Sequence, residues 1–208
     1  MKKFVLLLLV YLVITTSAQA QSRQSAYAKE KAYEQKDILL TAGASFGYSG
    51  FYGTYTSASV PIIVAVEYAF LKYVSIGGFV GYQSYSYTDT YQEALPPYTN
   101  VNYSYVYSAI SLGLKGSFHV LPYLNDRFKT GIDDSRMDAY LTAYVGASFH
   151  SYREVTSTGY TGYDKLVPRY IVGPGAGFRY MFIDRFGAFA EAGVGAVGFT
   201  TVGVVYKL

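Results

Sequence analysis

The chain has 208 residues, a net charge of +3, no Cys and no Trp. Without Cys there is no disulfide framework and no thiol chemistry, and scattered basic residues at so small a net charge leave no nucleic-acid footprint. Only 15% of the residues are charged, against about 25% in ordinary soluble domains, while Tyr alone fills 25 positions.

The first element is Lys2-Lys3, an apolar run from Phe4 to Ile14, then Ser17-Ala18-Gln19-Ala20. A basic start, a short apolar stretch and a small-x-small ending predict a secretory signal peptide over 1–20, cut after Ala20. Residues 21–36 are polar and predict a mobile periplasmic tail. No later apolar run reaches the ~18 residues of a transmembrane helix. Residues 37–208 read as one domain.

From there the chain alternates with period two, the signature of strands with one apolar face. Strand one, Asp37 to Tyr48, sets Ile38, Leu40, Ala42 and Phe46 against Leu39, Thr41, Gly43 and Ser45. Strand two, Ser59 to Phe70, has Val60, Ile62, Val64 and Val66 on one face and Glu67 on the other. Strand three runs from Val74 to Tyr87, and the loop after it contains Pro96-Pro97, which cannot continue a ladder. Strand four is Val101 to Phe118, with Ile110, Leu112 and Leu114 opposite Ser111 and Lys115. His119 to Asp138 reads as a long polar connection. Strand five, Ala139 to Tyr152, precedes a third Gly/Tyr/Thr loop, Arg153 to Lys165. Strand six is Val167 to Met181. The last two strands lie within Phe186 to Leu208, joined at a tight Val197-Gly198 turn.

Eight strands near or above ~10 residues are long enough to cross a bilayer in a tilted barrel. Glu67, Lys115, Arg169, Arg179 and Glu191 all fall on the face rich in Gly, Ser and Thr; the other face is essentially uncharged. A soluble eight-stranded barrel has the reverse polarity. An uncharged outer face in water would be a large apolar patch, so the pattern predicts a closed all-β, antiparallel, up-and-down barrel facing lipid. Aromatics at strand ends form two girdles, Phe70, Tyr73, Phe118, Tyr180, Phe182, Phe186 and Tyr206 at the inner rim, and Phe46, Tyr48, Phe149, Tyr170 and Phe199 near the outer.

With these residues in view, Asp37 to Leu208 resembles a small outer-membrane β-barrel of the OmpA-transmembrane-like type, in the form common in Bacteroidetes-like bacteria. Thr201-x-Gly203-x-x-Tyr206-x-Leu208 resembles the signal read by the barrel-assembly machinery, with Leu208 standing where the family usually has Phe. The resemblance implies the outer membrane of a Gram-negative bacterium, contact with its lipid and lipopolysaccharide, and a monomer.

An eight-stranded lumen is about filled by side chains. Glu67, Lys115, Arg179 and Glu191 are the candidate lumenal charge network, either satisfying one another as a plug or lining an ion path. Ser148, His150 and Glu154 share a face near the outer rim, the residue types of an acyl-transfer site, but a hydrogen-bonded rim histidine explains His150 as well. His119 has no second ligand at metal spacing, so neither metal nor cofactor is expected. Tyr52, Tyr55, Tyr85, Tyr91, Tyr160 and Tyr163, with Gly, Ser and Thr around them, are the candidate binding residues, of the composition adaptable binding surfaces use. The expectation is a non-enzymatic barrel with a structural or loop-mediated binding role. A narrow porin-like channel for small solutes and a lipid A-modifying enzyme are the alternatives.

Overall fold

Alternation sets the architecture because each stave must turn its apolar side chains one way and its small or charged ones the other. In the computed structural model, which describes residues 31–47, 57–92, 100–156, 161–162, 167–194 and 197–208, eight long strands do so. They are β1 (Ile38–Phe46), β2 (Ile62–Leu71), β3 (Val74–Gln92), β4 (Asn100–His119), β5 (Met137–Thr156), β6 (Val167–Ile183), β7 (Phe186–Gly193) and β8 (Thr200–Lys207). Each pairs antiparallel with its sequence neighbours. β1 also pairs with β8, from Leu39 opposite Lys207 to Phe46 opposite Thr200, which closes the ring. Closure of the ring leaves no unpaired edge where all eight strands run together, the condition for strands to cross a bilayer. Two-residue segments, Ser57–Ala58 and Thr161–Gly162, add to β3 and β5.

The polarity is inside-out. Val64, Val80, Leu114 and Val145 point outward and are 44–60% exposed, whereas Glu67, Lys115 and Arg179 are 0–1% exposed on the inner face. The fold is therefore a transmembrane type of barrel, with hydrocarbon as the solvent its exterior suits.

The staves are unequal. β3, β4 and β5 have 19, 20 and 20 residues, but β1, β7 and β8 only 9, 8 and 8. Since ~10 tilted residues cross the hydrocarbon layer, about half of each long strand stands beyond it as a wall on one side. Part of what the sequence reads as loop is thus strand: β3 continues through Thr88 to Gln92 and β5 through Arg153 to Thr156. Hydrogen bonding continues where the apolar alternation fades into Ser, Thr and Tyr.

The inner end departs further from expectation. His119 is the last residue of β4 and Asp138 lies in β5, so both belong to staves rather than to a connection. Between them runs α1, Val120–Phe128, closed by Lys129 in the left-handed conformation (φ 53°) with its N–H on Asn125 O. Pro122 sits in the first helical turn, where its missing N–H costs nothing. Lys72 and Tyr73 of the β2–β3 turn both bond the Asp126 carboxylate of α1 and hold it below its ordinary range, Lys72 first. The tail, expected to be mobile, is docked over Lys31–Lys36: Ala32 and Tyr33 are buried, and Lys36 N–H bonds Ala69 O at 2.7 Å. Residues 1–30 lie outside the described residues.

Candidate functional site

The lumen is built in layers. An apolar inner layer comes from Ala32, Met181, Phe189 and Val205, with Tyr33, Leu39 and Ala69 beside it. An outer layer comes from Ile63, Ala65, Phe79, Tyr144, Ile171 and Val197. The charges lie between, and Glu67, Lys115 and Arg179 are 0–1% exposed.

Lys115 on β4 holds this middle layer together. Its ammonium bonds Glu191 of β7 and lies 3.1 Å from Glu67 Oε1 of β2. It also sits over the rings of Tyr140 and Tyr144, at 5.7 and 5.4 Å. Tyr140 and Tyr144 of β5 donate to the two oxygens of Glu191. Ser75 and Ser117 donate to Glu67 Oε2. Sequence places Glu67, Lys115 and Glu191 on the lumenal face, and the structure brings them into one cluster.

Arg179 joins through a residue that sequence reasoning missed. Its Nη1 donates to Asp138 Oδ2 at 3.0 Å, and its guanidinium lies 4.9 Å from the Tyr140 ring centre. His119 is the second omission: Nδ1 is 2.8 Å from that same Asp138 oxygen and Nε2 is 3.0 Å from Ser75 Oγ. Asp138 thus takes both Arg179 and His119, and Ser75 links His119 to Glu67, which joins the Arg179–Asp138 pair to the Lys115 cluster. Parity could have found both residues: Asp138 continues the inward series Tyr140, Thr142, Tyr144, and His119 the series Lys115, Ser117.

Buried side chains lie toward each end of the lumen. From the inner side the Tyr33 ring stacks on His119, centroids 3.4 Å apart and planes at 17°, and its hydroxyl donates to Leu71 O at 2.8 Å. Burial first, then the Asp138 carboxylate, raises the Tyr33 hydroxyl above the ordinary tyrosine range. From the outer side, Val197 of the Val197-Gly198 pair, read as a tight turn, is 1% exposed. It packs so close over Gly81 that a Cβ there would meet Val197 Cγ1 at 2.5 Å. A cavity beside Glu191, lined in part by Ile63, Thr142, Tyr144 and Thr201, holds about 10 Å³, room for about one water.

The other candidates are dispersed. Ser148 Oγ accepts from Ser111 Oγ at 3.0 Å, a pairing that joins β4 to β5 without His150. Arg169 sits at the exposed outer end of β6. Among the described residues no cluster of His, Asp and Glu could hold a metal ion. Tyr52, Tyr55, Tyr160 and Tyr163, and Tyr48 of the outer girdle, lie outside the described residues; Tyr91 is in β3. Tyr85 is in the wall, on its inward side, stacked on Tyr107 of β4 at 5.1 Å and 10°; one step further out Tyr87 stacks on Tyr105 at 6.3 Å. These cross-strand pairs were not singled out from sequence.

An apolar exterior, an ion-paired lumen and a ring of antiparallel strands define the class: a closed, eight-stranded β-barrel of the transmembrane type. No protein-family model and no curated protein matches the chain. Among solved structures it is similar to Ail, the attachment invasion locus protein of Yersinia pestis, in complex with the heparin analogue sucrose octasulfate: 13% identity, 85% of this chain, 100% of that one, TM-score 0.42. It is similar also to the N-terminal β-barrel domain of Pseudomonas aeruginosa OprF, at 16% identity, 85% and 100% coverage and TM-score 0.42. A de novo designed transmembrane β-barrel matches at 13% identity, 86% and 99% coverage and TM-score 0.39.

Proposed function

We propose that this chain is a monomeric outer-membrane barrel of a Gram-negative bacterium, that it carries out no reaction, and that it acts as a structural element presenting an outer binding surface. One observation carries the reading: the uncharged exterior encloses a lumen in which Lys115 meets Glu67 and Glu191 and Arg179 meets Asp138, with Tyr33 and Val197 buried toward its two ends. A pore needs a wetted path, and the middle of this lumen is occupied by Lys115 with Glu67 and Glu191. What remains for outside partners is the wall, with paired Tyr rings on its inward side and Ser84, Ser86, Ser104 and Ser108 on the opposite one. Amphipathic rings and small hydroxyls suit adaptable contacts with lipopolysaccharide or another surface molecule. Thr201, Gly203, Tyr206 and Leu208 are the residues the assembly machinery would read.

The test pairs two measurements on protein refolded into phospholipid. Unheated and boiled samples should migrate differently on a gel, and planar bilayers holding the folded form should show no channel openings. Identical mobility would remove the barrel reading. Discrete openings would replace the sealed barrel by the narrow pore.

A further inference from the structure

We infer that α1 and the turn beside it form an interfacial foot that seats the barrel in the phospholipid of the inner leaflet, with Arg127 and Lys129 taking headgroup phosphates. The inference rests on the outer-membrane reading and adds a second lipid contact of different chemistry. Phe118 is on the outward face of β4, two residues past Gly116 and four past Leu114 in the lipid-facing series. Tyr123 of α1 packs on it at 5.5 Å and meets Tyr73 edge-on at 5.6 Å, with Phe128 at 6.5 Å on its other side. The helix thus lies against the outside of the wall at the inner rim, and its rings continue the apolar exterior without a break.

What those rings face is set by exposure. Phe128 is 63% exposed, Leu71 49%, Ile132 38% and Tyr123 36%. In periplasmic water these would form an apolar patch at the foot of an apolar barrel; at headgroup level they are where amphipathic rings reside. Charge agrees. Lys72 is committed to Asp126 and Lys31 to Asp134, while Arg127 and Lys129 are exposed and have no ion pair among the described residues. Two exposed cations beside a row of rings match anionic phosphate above acyl chains. The Asp126 contacts with Lys72 and Tyr73 hold the helix to the barrel, and Asn125 clamps the turn after it through Thr130 and Ile132. The foot is held in place by the protein before lipid arrives.

The chain contains no Trp, so a single introduced indole reports its own depth. Phe128→Trp and, as reference, Leu112→Trp in the middle of the exterior are refolded into vesicles of phosphatidylcholine and phosphatidylglycerol. Their bromine-labelled lipids carry the quencher near the headgroup or near the chain ends. Gel mobility confirms that each variant is folded. The foot requires Phe128→Trp to emit to the blue of free indole, to resist acrylamide and to be quenched most by shallow bromines, while Leu112→Trp is quenched most by deep ones. Acrylamide quenching of Phe128→Trp with no bromine effect, and Leu112→Trp still deep, overturns the foot and leaves the barrel. Loss of bromine quenching at both positions overturns the membrane reading and the foot with it. Adding Arg127→Gln and Lys129→Gln should weaken the shallow quenching at position 128; unchanged quenching overturns the role given to the two cations.

Discussion

Replacing Lys115 by Met tests whether the lumen is dry. The ammonium is 1% exposed and lies between two carboxylates, 3.1 Å from Glu67 Oε1 and hydrogen-bonded to Glu191. At an effective dielectric of about 20, one such contact is worth ~5 kcal/mol of gross attraction, much of it offset by desolvating both ions. Removing one partner leaves the others buried and uncompensated, which costs about 3–5 kcal/mol. Glu67 keeps Ser75 and Ser117, and Glu191 keeps Tyr140 and Tyr144, so Lys115→Met is expected toward the lower end, about 3 kcal/mol. Urea unfolding in phospholipid vesicles, followed by the folded band on unheated gels and extrapolated linearly, gives the number. Combining Lys115→Met with Glu67→Gln and Glu191→Gln removes the orphaned charges and should recover stability to within about 1 kcal/mol of wild type. A single variant within about 0.5 kcal/mol of wild type, or a triple variant as unstable as the single one, would refute the argument, because either result means that water already screens these charges.

Other consequences can be checked in the same system. Gly177→Val places a side chain where a Cβ alone would meet Tyr140 Cζ at 2.4 Å, so Tyr140 must leave Glu191; a loss of about 2–3 kcal/mol is expected on the urea curve. Tyr33 is an acid whose folded form holds its proton above the ordinary value of about 10. Its contribution to stability is therefore complete below pH ~10 and falls as pH rises beyond it; the stability difference between wild type and Tyr33→Phe should narrow there, and a constant difference would contradict the burial. Asp126→Asn removes the carboxylate shared by Lys72 and Tyr73 and should speed amide exchange in Val120–Phe128 while leaving the β4–β5 ladder protected.

Much of this fold is legible in the residues because lipid and lumen impose opposite demands on neighbouring positions. Ile62-Ile63-Val64-Ala65-Val66-Glu67 declares both faces of β2 in six letters. Where that contrast ends, the reading ends: Thr88 to Gln92 and Arg153 to Thr156 are strand without an apolar face, held by ladder bonds that have no signature in composition. The charge cluster is half legible for a related reason. Glu67, Lys115, Arg179 and Glu191 are surrounded by clear alternation, but His119 and Asp138 flank α1, whose VLPYLNDRF breaks the period and hides that each still has lumenal parity. Closure of the mouths depends on contacts across the barrel axis, Tyr33 with His119 and Val197 with Gly81, and no local pattern encodes those.

The cross-lumen bonds also govern how the barrel can come together. Glu191 meets Lys115 from 76 residues downstream, and along the seam Ser45 of β1 meets its register partner Thr201 of β8 at 2.8 Å across 156 residues. A sheet that had entered lipid with β2 through β6 in place but without β7 would hold Lys115 short of one counterion and leave Tyr140 and Tyr144 with hydroxyls facing hydrocarbon. Such a half-barrel is worse off than either the unfolded or the finished chain. The ladder would let staves be added one at a time, but the lumen requires the last to arrive with the rest, so closure is a single cooperative event in which the ion pairs and the seam form together.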